Sequence, residues 1–386
     1  MKIGILTQPL HNNYGGLLQA FALQTYLKKL GCDPWVVRRV SGDPIFIMLI
    51  YRYFKYLIFK YILKKKFKGS PFKNKLSQKE IHYISKNTSY FIEKYINPKT
   101  ELIDNTKALK KISKEGYDAY IVGSDQVWRF GYSPNILNYY LNFLVSDRNV
   151  IRLSYAASFG LSNWHYPFYI TPFVSYFAKR FKSISVREDD GIELCEKYLG
   201  VEAQHHIDPT LLLSCDEYIK LVENENESKS EGNLLTYILD DSCEKQKFIR
   251  TVSKNKELIP FTVMPNKKIT LNNRSEIEDG IYPSVTKWLR GFMDAKYVIT
   301  DSFHGCVFSI LFNVPFIAIG NPLRGMSRFL SLLRMFNLEN RLLYDLNNFD
   351  FSKIDVPINW DDVNAILKDQ RNKSNRYLIE NLNLDK

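Results

Sequence analysis

A single histidine stands where a buried strand would hand over to a helix. In Tyr297-Val298-Ile299-Thr300-Asp301-Ser302-Phe303-His304-Gly305-Cys306, an apolar, β-rich run ends in a polar cluster; a helix-length apolar run occupies 307–312 and a second β-rich run 314–320. The order reads as strand, turn, helix, strand. In parallel sheets, ligands sit beyond the carboxyl ends of strands and beside helix N-termini, which is where Asp301, Ser302 and His304 fall. An imidazole there could exchange a proton, a carboxylate could accept one, and the N–H groups after Gly305 could face an anion. The plainer reading stands beside this one: Ser and Asp before a helix also serve as N-caps, and a lone His also serves as a structural residue.

Other strand ends carry similar clusters. The run 2–7 leads through His11-Asn12-Asn13-Tyr14-Gly15-Gly16 into an apolar-striped helix, and the two glycines would let a ligand approach the backbone, with His11 and Asn13 beside it. The run 117–122 is followed by Gly123-Ser124-Asp125-Gln126-Val127-Trp128, the run 153–157 by Ser158-Phe159-Gly160, and the run 183–186 by Arg187-Glu188-Asp189. A guanidinium at a strand tip suits phosphate or carboxylate oxygens, and the Arg187-Glu188 pair also suits a helix start. His205 and His206 are adjacent and point to opposite sides of a strand, so they read as structural or as cleft lining, not as one metal site.

The elements that must position these residues come in two series. Strands at 2–7, 34–40, 117–122, 153–157 and 183–186 precede an acidic, helix-breaking stretch at 223–233. Strands at 234–239, 258–263, 297–300 and 315–319 alternate with helices at 242–255, 282–294 and 305–313. This is α/β architecture with two Rossmann-like domains, 1–215 and 234–350, and an amphipathic helix within 357–386 that would pack back on the first domain. The polar, Lys-rich stretch 73–113 reads as an excursion from the first domain. The segment 45–66 is rich in Ile, Phe, Leu and Tyr but interrupted by Arg52, Lys55 and Lys60 and closed by three lysines. Cations within it make bilayer spanning costly, and a helix lying in the membrane interface fits better.

With 386 residues, 45% of them hydrophobic, the chain can bury a large core, and a disordered protein is excluded. Its net charge of +12 favours anionic partners. No recognition motif supports nucleic acid as one of them. The five cysteines are widely spaced and lack metal-ligand patterns, so neither a disulfide framework nor a metal site is expected, and a reducing compartment is. The first residues read as a strand and not as a signal peptide.

Taken together, the sequence resembles the polysaccharide pyruvyl transferase family. Six stretches carry the resemblance in order: Asn13-Tyr14-Gly15-Gly16-Leu17-Leu18-Gln19-Ala20, Gly123-Ser124-Asp125-Gln126-Val127-Trp128, Ser154-Tyr155-Ala156-Ala157-Ser158-Phe159-Gly160, Ser185-Val186-Arg187-Glu188, Asp208-Pro209-Thr210-Leu211-Leu212 and Thr300-Asp301-Ser302-Phe303-His304-Gly305. The resemblance implies a glycosyltransferase-B-like pair of domains facing a cleft. It also implies transfer of the enolpyruvyl unit of phosphoenolpyruvate onto two hydroxyls of a sugar as a cyclic ketal, with phosphate released and no cofactor. His304 matches the family's histidine and Arg187 its donor-binding arginine. Where some members carry arginine two residues before the histidine, this chain has Ser302, and Arg324 and Arg328 are the candidates to complete the donor clamp, with Arg290 or Lys287 behind them. Asp125 or Asp301 would serve as base, and His11, Asn13, Tyr14, Gly15, Gly16 and Trp128 would line the acceptor side.

The same resemblance implies a bacterial surface polysaccharide precursor as acceptor, carried on a polyprenyl diphosphate and with galactose the first sugar to consider. The protein would then work in the cytoplasm, peripheral on the inner face of the cytoplasmic membrane, with 45–66 as its contact. Two other readings share the cleft: a nucleotide-sugar-dependent glycosyltransferase, for which no ribose or base clamp stands out, and a non-catalytic sugar- or lipid-binding relative. The acceptor sugar, the ketal stereochemistry and the oligomeric state are not written in the sequence.

Overall fold

The computed structural model describes residues 1–42, 57, 61, 76–145, 147, 149–321, 325–346 and 352–384. Apart from Leu57 and Tyr61, the 45–66 segment lies outside these residues, as does Arg324.

The first sheet is built from β1 (Lys2–Leu6), β2 (Asp33–Val36), β3 (Ala119–Val122) and β4 (Ile151–Ser154) in the order β2-β1-β3-β4, all parallel. A short parallel pair, β5 (Ser185–Val186) and β6 (Gln204–His205), continues it through bridges from Leu153 to Ser183 and from Ala157 to Val186. Strands buried on both faces read as continuous apolar runs, which is why KIGIL and AYIV carry no polar alternation. The second sheet has the order β11-β10-β9-β7-β8 and is also parallel, with β7 (Leu234–Tyr237), β8 (Pro260–Phe261), β9 (Tyr297–Thr300), β10 (Phe316–Ile319) and β11 (Leu342–Leu343).

The helix Tyr14–Lys29 follows β1 and the helix Phe303–Leu311 follows β9. Both start at the carboxyl edge of a sheet, so both N-termini open toward the space between the domains. One hydrophobic cluster runs from Ile3 and Leu17 through Tyr218 and Trp288 to Val298 and Phe308, so the two halves share a core. At the seam the Tyr14 ring stacks on Trp288, with centroids 5.7 Å apart, and its hydroxyl donates to the Pro283 carbonyl at 2.9 Å.

The stretch read as an excursion from the first domain instead bridges the two. Its helix Gln78–Ile84 opens with a capping box from Ser77 and Glu80 and reaches the second domain. There Glu80 pairs with Arg274 at 3.1 Å, and Tyr282 N–H donates to the Ile84 carbonyl at 2.9 Å. The following helix, Lys86–Tyr95, turns Phe91 onto Phe21 of the first domain. The last helix, Trp360–Leu382, crosses back onto the first domain: Tyr377 donates to the Ser154 carbonyl at 2.9 Å and Arg371 to the Leu211 carbonyl at 2.6 Å.

Candidate active site

Between the domains lies a cavity of about 1080 Å³. From the first domain it is lined by His11, Asn13, Asp125, Gln126, Arg129 and Tyr132, and from the second by Asp301, Ser302, Phe303, His304, Lys267 and Arg328. The volume is at the upper end for small-molecule sites, enough for a small anion and a sugar side by side.

His304 sits in the first turn of its helix, only 5% exposed. Its Nε2 is buried and 3.6 Å from Asp208 Oδ2, so the ring is held from behind by a carboxylate. A face of the ring lies against Gly15, where an added Cβ would fall 2.0 Å from His304 Nδ1 and 2.2 Å from Cγ. Gly15 therefore makes room for the histidine of the other domain, not for an acceptor sugar. Gly16 is not needed for ligand approach either, since the space beside it is taken by Asn13.

Asp208 is fully buried. Its Oδ1 accepts from the Thr210 N–H at 3.0 Å and the Thr210 hydroxyl at 2.8 Å; its Oδ2 accepts from Ser124 at 3.0 Å and Arg187 Nη1 at 2.9 Å. Burial alone would raise its pKa, but His304, Arg187 and the Thr210 N–H outweigh that and hold it well below the usual carboxylate range.

Arg187 is likewise enclosed, and this corrects its expected role as a direct donor contact. Its guanidinium reaches Glu188 at 3.1 Å, Asp208 at 2.9 Å and Asp125 at 3.8 Å, and it lies 4.4 Å over the Phe303 ring. The side chain is 1% exposed and stands behind the cavity wall. Burial opposes its charge, but Glu188, Asp208 and Asp125 raise its pKa further, so it is a fixed cation that orders three carboxylates.

Arg328, like Arg129, borders the cavity. Burial and the neighbouring Arg187 push its pKa down to about 10 against the opposing pull of Glu188 and Asp125. Arg290, in contrast, is tied to Asp294 of its own helix at 2.9 Å, and Lys287 to the Ser228 carbonyl at 3.1 Å, so neither belongs to the cleft.

The two candidate bases separate clearly. Asp301 is 1% exposed, and its oxygens accept from the Leu239 N–H at 2.6 Å, the Asp240 N–H at 3.1 Å and Lys245 Nζ at 2.7 Å. It ties two loops of the second domain together, and its expected part as a base is corrected accordingly. Asp125 borders the cavity, and among the described residues its side-chain contacts are long, 3.4 Å from Asn13 Nδ2 and 3.8 Å from Arg187 Nη2. Its backbone is left-handed, φ 67°, with the Asp125 carbonyl accepting from Val127 and Ser158, so the loop spends strain to present this carboxylate.

Ser302 occupies the N-cap position without a side-chain cap bond. The Asn13 side chain likewise makes no cap bond to its helix. The first-turn N–H groups of both helices are thus left to whatever the cleft holds. Tyr14 borders the cavity, but its ring belongs to the domain seam. Trp128 is corrected outright: it is fully buried, stacked 5.0 Å from Tyr140, and its indole N–H donates to the Tyr139 carbonyl at 2.8 Å. His205 Nε2–H donates to the Arg187 carbonyl at 3.0 Å, and His206 Nδ1 shares a hydrogen bond with the Ser374 hydroxyl of the last helix at 3.1 Å.

Sequence reasoning had not assigned a site role to Asp208, Arg129 or Phe303. Asp208 lay in view, as an acid followed by proline and threonine, but the signal that marks it is its contact with His304, 96 positions away by number.

A family model described as polysaccharide pyruvyl transferase matches residues 13–322. The chain belongs to the polysaccharide pyruvyl transferase family. The site residues just described fall inside the match apart from His11, just before its start, and Arg328, just beyond its end. No curated protein matches the sequence. Among solved structures, UDP-GlcNAc 2-epimerase from Neisseria meningitidis bound to UDP-GlcNAc is similar at 10% identity and a TM-score of 0.50, over 99% of both chains. The Methanocaldococcus jannaschii UDP-GlcNAc 2-epimerase gives 13% identity and 0.46 over 99% of each chain. An α-glucosyltransferase in complex with UDP and DNA gives 10% and 0.43, over 100% of this chain and 93% of its own. At such identities the likeness concerns fold alone, and the fold of this pyruvyl transferase family member is glycosyltransferase-B-like.

Proposed function

We propose that the protein transfers the enolpyruvyl unit of phosphoenolpyruvate onto two hydroxyls of a sugar, forming a pyruvate ketal. The observation that supports this most is the meeting, across one cavity, of His304 and Arg328 with the first-turn N–H groups of the Phe303–Leu311 helix on one side and the Asp125 carboxylate on the other. A donor that carries both phosphate and carboxylate needs cations and N–H donors together with one proton source and one proton acceptor.

In this reading Arg328 and the helix N-terminus hold the donor's charged groups. His304, backed by Asp208 at Nε2, offers Nδ1 as the acid that protonates the methylene carbon and makes it a methyl group. The adjoining carbon takes up oxocarbenium character, a sugar hydroxyl attacks it while Asp125 accepts the hydroxyl's proton, and the carbon–oxygen bond to phosphate breaks. The second hydroxyl then adds to the same carbon and closes the ring, its proton passing to His304 to restore the acid, while the proton taken up by Asp125 leaves with the phosphate. Arg187 acts through Asp208 and Asp125, holding both in place. No step here calls on a cofactor.

We further take the acceptor to be a galactose-containing, lipid-linked precursor of a surface polysaccharide, reached through the basic, aromatic segment 45–66, which lies outside the described residues. The reading is tested by incubating the purified protein with phosphoenolpyruvate and a panel of galactosides, glucosides and mannosides, then lipid-linked acceptors, following phosphate and product mass. Phosphate release coupled to a ketal-bearing product is expected. The reading fails if His304→Ala retains wild-type turnover, or if no acceptor elicits phosphate and no donor binds.

A further inference from the structure

Away from the cleft, the first domain carries an outward-facing aromatic surface that no part of the proposed chemistry uses. Phe168 is 87% exposed, Tyr169 59%, Phe173 56% and Tyr176 53%. They lie in the turn before the helix Thr171–Ala178 and on that helix, which points Val174 and Ala178 inward and its aromatics outward. A helix facing only water would present charge there; large aromatics left in solvent mark a surface that meets something else. From Arg148 to Arg187 the sequence has no Asp or Glu, while Lys179, Arg180 and Lys182 follow the helix directly. Arg180 stacks 4.4 Å over Tyr176, so cation and aromatic form one face.

We propose that this aromatic surface, rimmed by Lys179 and Arg180, seats in the interface of an anionic lipid bilayer. Aromatic rings at headgroup depth with cations around them are what such an interface selects, and the absence of acids across forty residues removes the repulsion that anionic headgroups would otherwise exert. None of these four aromatics lines the cleft cavity in which a sugar would be held. No helix among the described residues is long and apolar enough to cross a membrane, which fits contact at the surface. The surface is also continuous with the cleft: Arg129 and Tyr132 line the cavity, Phe130 packs 5.5 Å from Tyr166, and Tyr166 lies two residues before Phe168. Docking here would bring the cleft rim to the lipid surface. That consequence rests on the lipid-linked acceptor proposed above, whereas the docking itself does not.

The test is co-sedimentation of the full chain with vesicles of phosphatidylcholine alone or mixed with phosphatidylglycerol. Binding to the anionic vesicles is expected, weakened by raised salt. Phe168→Ser and Phe173→Ser should each lower the partition about fivefold, and Lys179→Gln and Arg180→Gln by a similar factor each at low salt. Phosphate release with a water-soluble glycoside should be unchanged in all four variants, so failure of docking and failure of the proposed reaction are told apart. The proposal is overturned if the wild type ignores anionic vesicles, or if the Phe168→Ser, Phe173→Ser double variant sediments like wild type. It is also overturned if those substitutions instead dissolve a dimer of the free protein, which would make the surface an interface between two copies.

Discussion

Replacing Gly15 by alanine tests the geometry of the site with the smallest possible change. The added methyl would lie 2.0 Å from His304 Nδ1, 2.2 Å from Cγ and 2.6 Å from Cε1. Reaching an ordinary contact means that ring and helix must part by about 1.4 Å. Asp208, fixed by Thr210, Ser124 and Arg187, would not follow the ring, so the displacement also disturbs the carboxylate at Nε2. A displacement on the order of 1 Å at a reacting group costs about 100-fold, so kcat/KM for phosphate release should fall by roughly that factor, about 2.7 kcal/mol in transition-state stabilisation. Stability should change much less. Overpacking costs about 1–3 kcal/mol, while alanine gains up to about 1 kcal/mol over glycine within a helix, which leaves a melting temperature a few degrees lower at most. Gly16→Ala is the matched control: its nearest contacts would be with the Asn13 side chain, at 3.1 Å from Nδ2, 3.3 Å from Cγ and 3.5 Å from Cβ, which a few tenths of an ångström relieve, and kcat/KM should stay within about threefold. Steady-state kinetics and thermal melts on the three proteins decide the matter. If Gly15→Ala keeps kcat/KM within about threefold of wild type, His304 does not act from the position described.

Three further outcomes follow from the same geometry. Asp125→Asn, which tolerates the left-handed backbone, should lower kcat by about 10²–10⁴ with little change in melting temperature, whereas Asp301→Asn should chiefly lower the melting temperature by weakening the Lys245 pair; the reverse pattern would restore Asp301 as the base. Trp128→Ala should cost about 3–5 kcal/mol of stability in denaturant unfolding while leaving the acceptor KM of the folded protein unaltered, and a selective rise in that KM would return Trp128 to the acceptor site. His206 is pushed down to about 3 by burial, then by Lys373 and His205, so below its ordinary value of 6.5 the unfolded chain binds the proton and the folded one does not. Stability should therefore fall as pH drops from about 6.5 toward about 3, by about 2 kcal/mol at pH 5 from this group alone, and His206→Gln should flatten that acid limb in pH-dependent melts.

Much of the framework was legible in local patterns. Apolar runs at β1, β3, β7, β9 and β10 mark strands because both faces of a parallel sheet are buried, and the glycine and polar clusters after them mark the edge where the cleft opens. His304 could be singled out because its place at a strand-to-helix junction is a matter of a few neighbouring residues.

Which charged residue does what was not legible, because it depends on contacts between residues far apart in the chain. Asp125 and Asp301 look alike in sequence, each within three residues of the end of an apolar strand, and both border the cavity; only the fold ties Asp301 to two backbone N–H groups and Lys245 and gives Asp125 longer contacts. Arg187 looks like a phosphate ligand until Asp125, Glu188 and Asp208 close around it. Gly15 looks like a ligand loop until His304 of the other domain fills the space beside it. The sequence by itself determined the strands, the helices and the edge of the sheets at which chemistry can occur, since these follow from hydrophobic period and turn residues over short spans. The tertiary structure alone decided the partners of each charge, because burial and Coulomb energy depend on distance in space, and the chain brings Asp208 to His304 only when both domains are folded together.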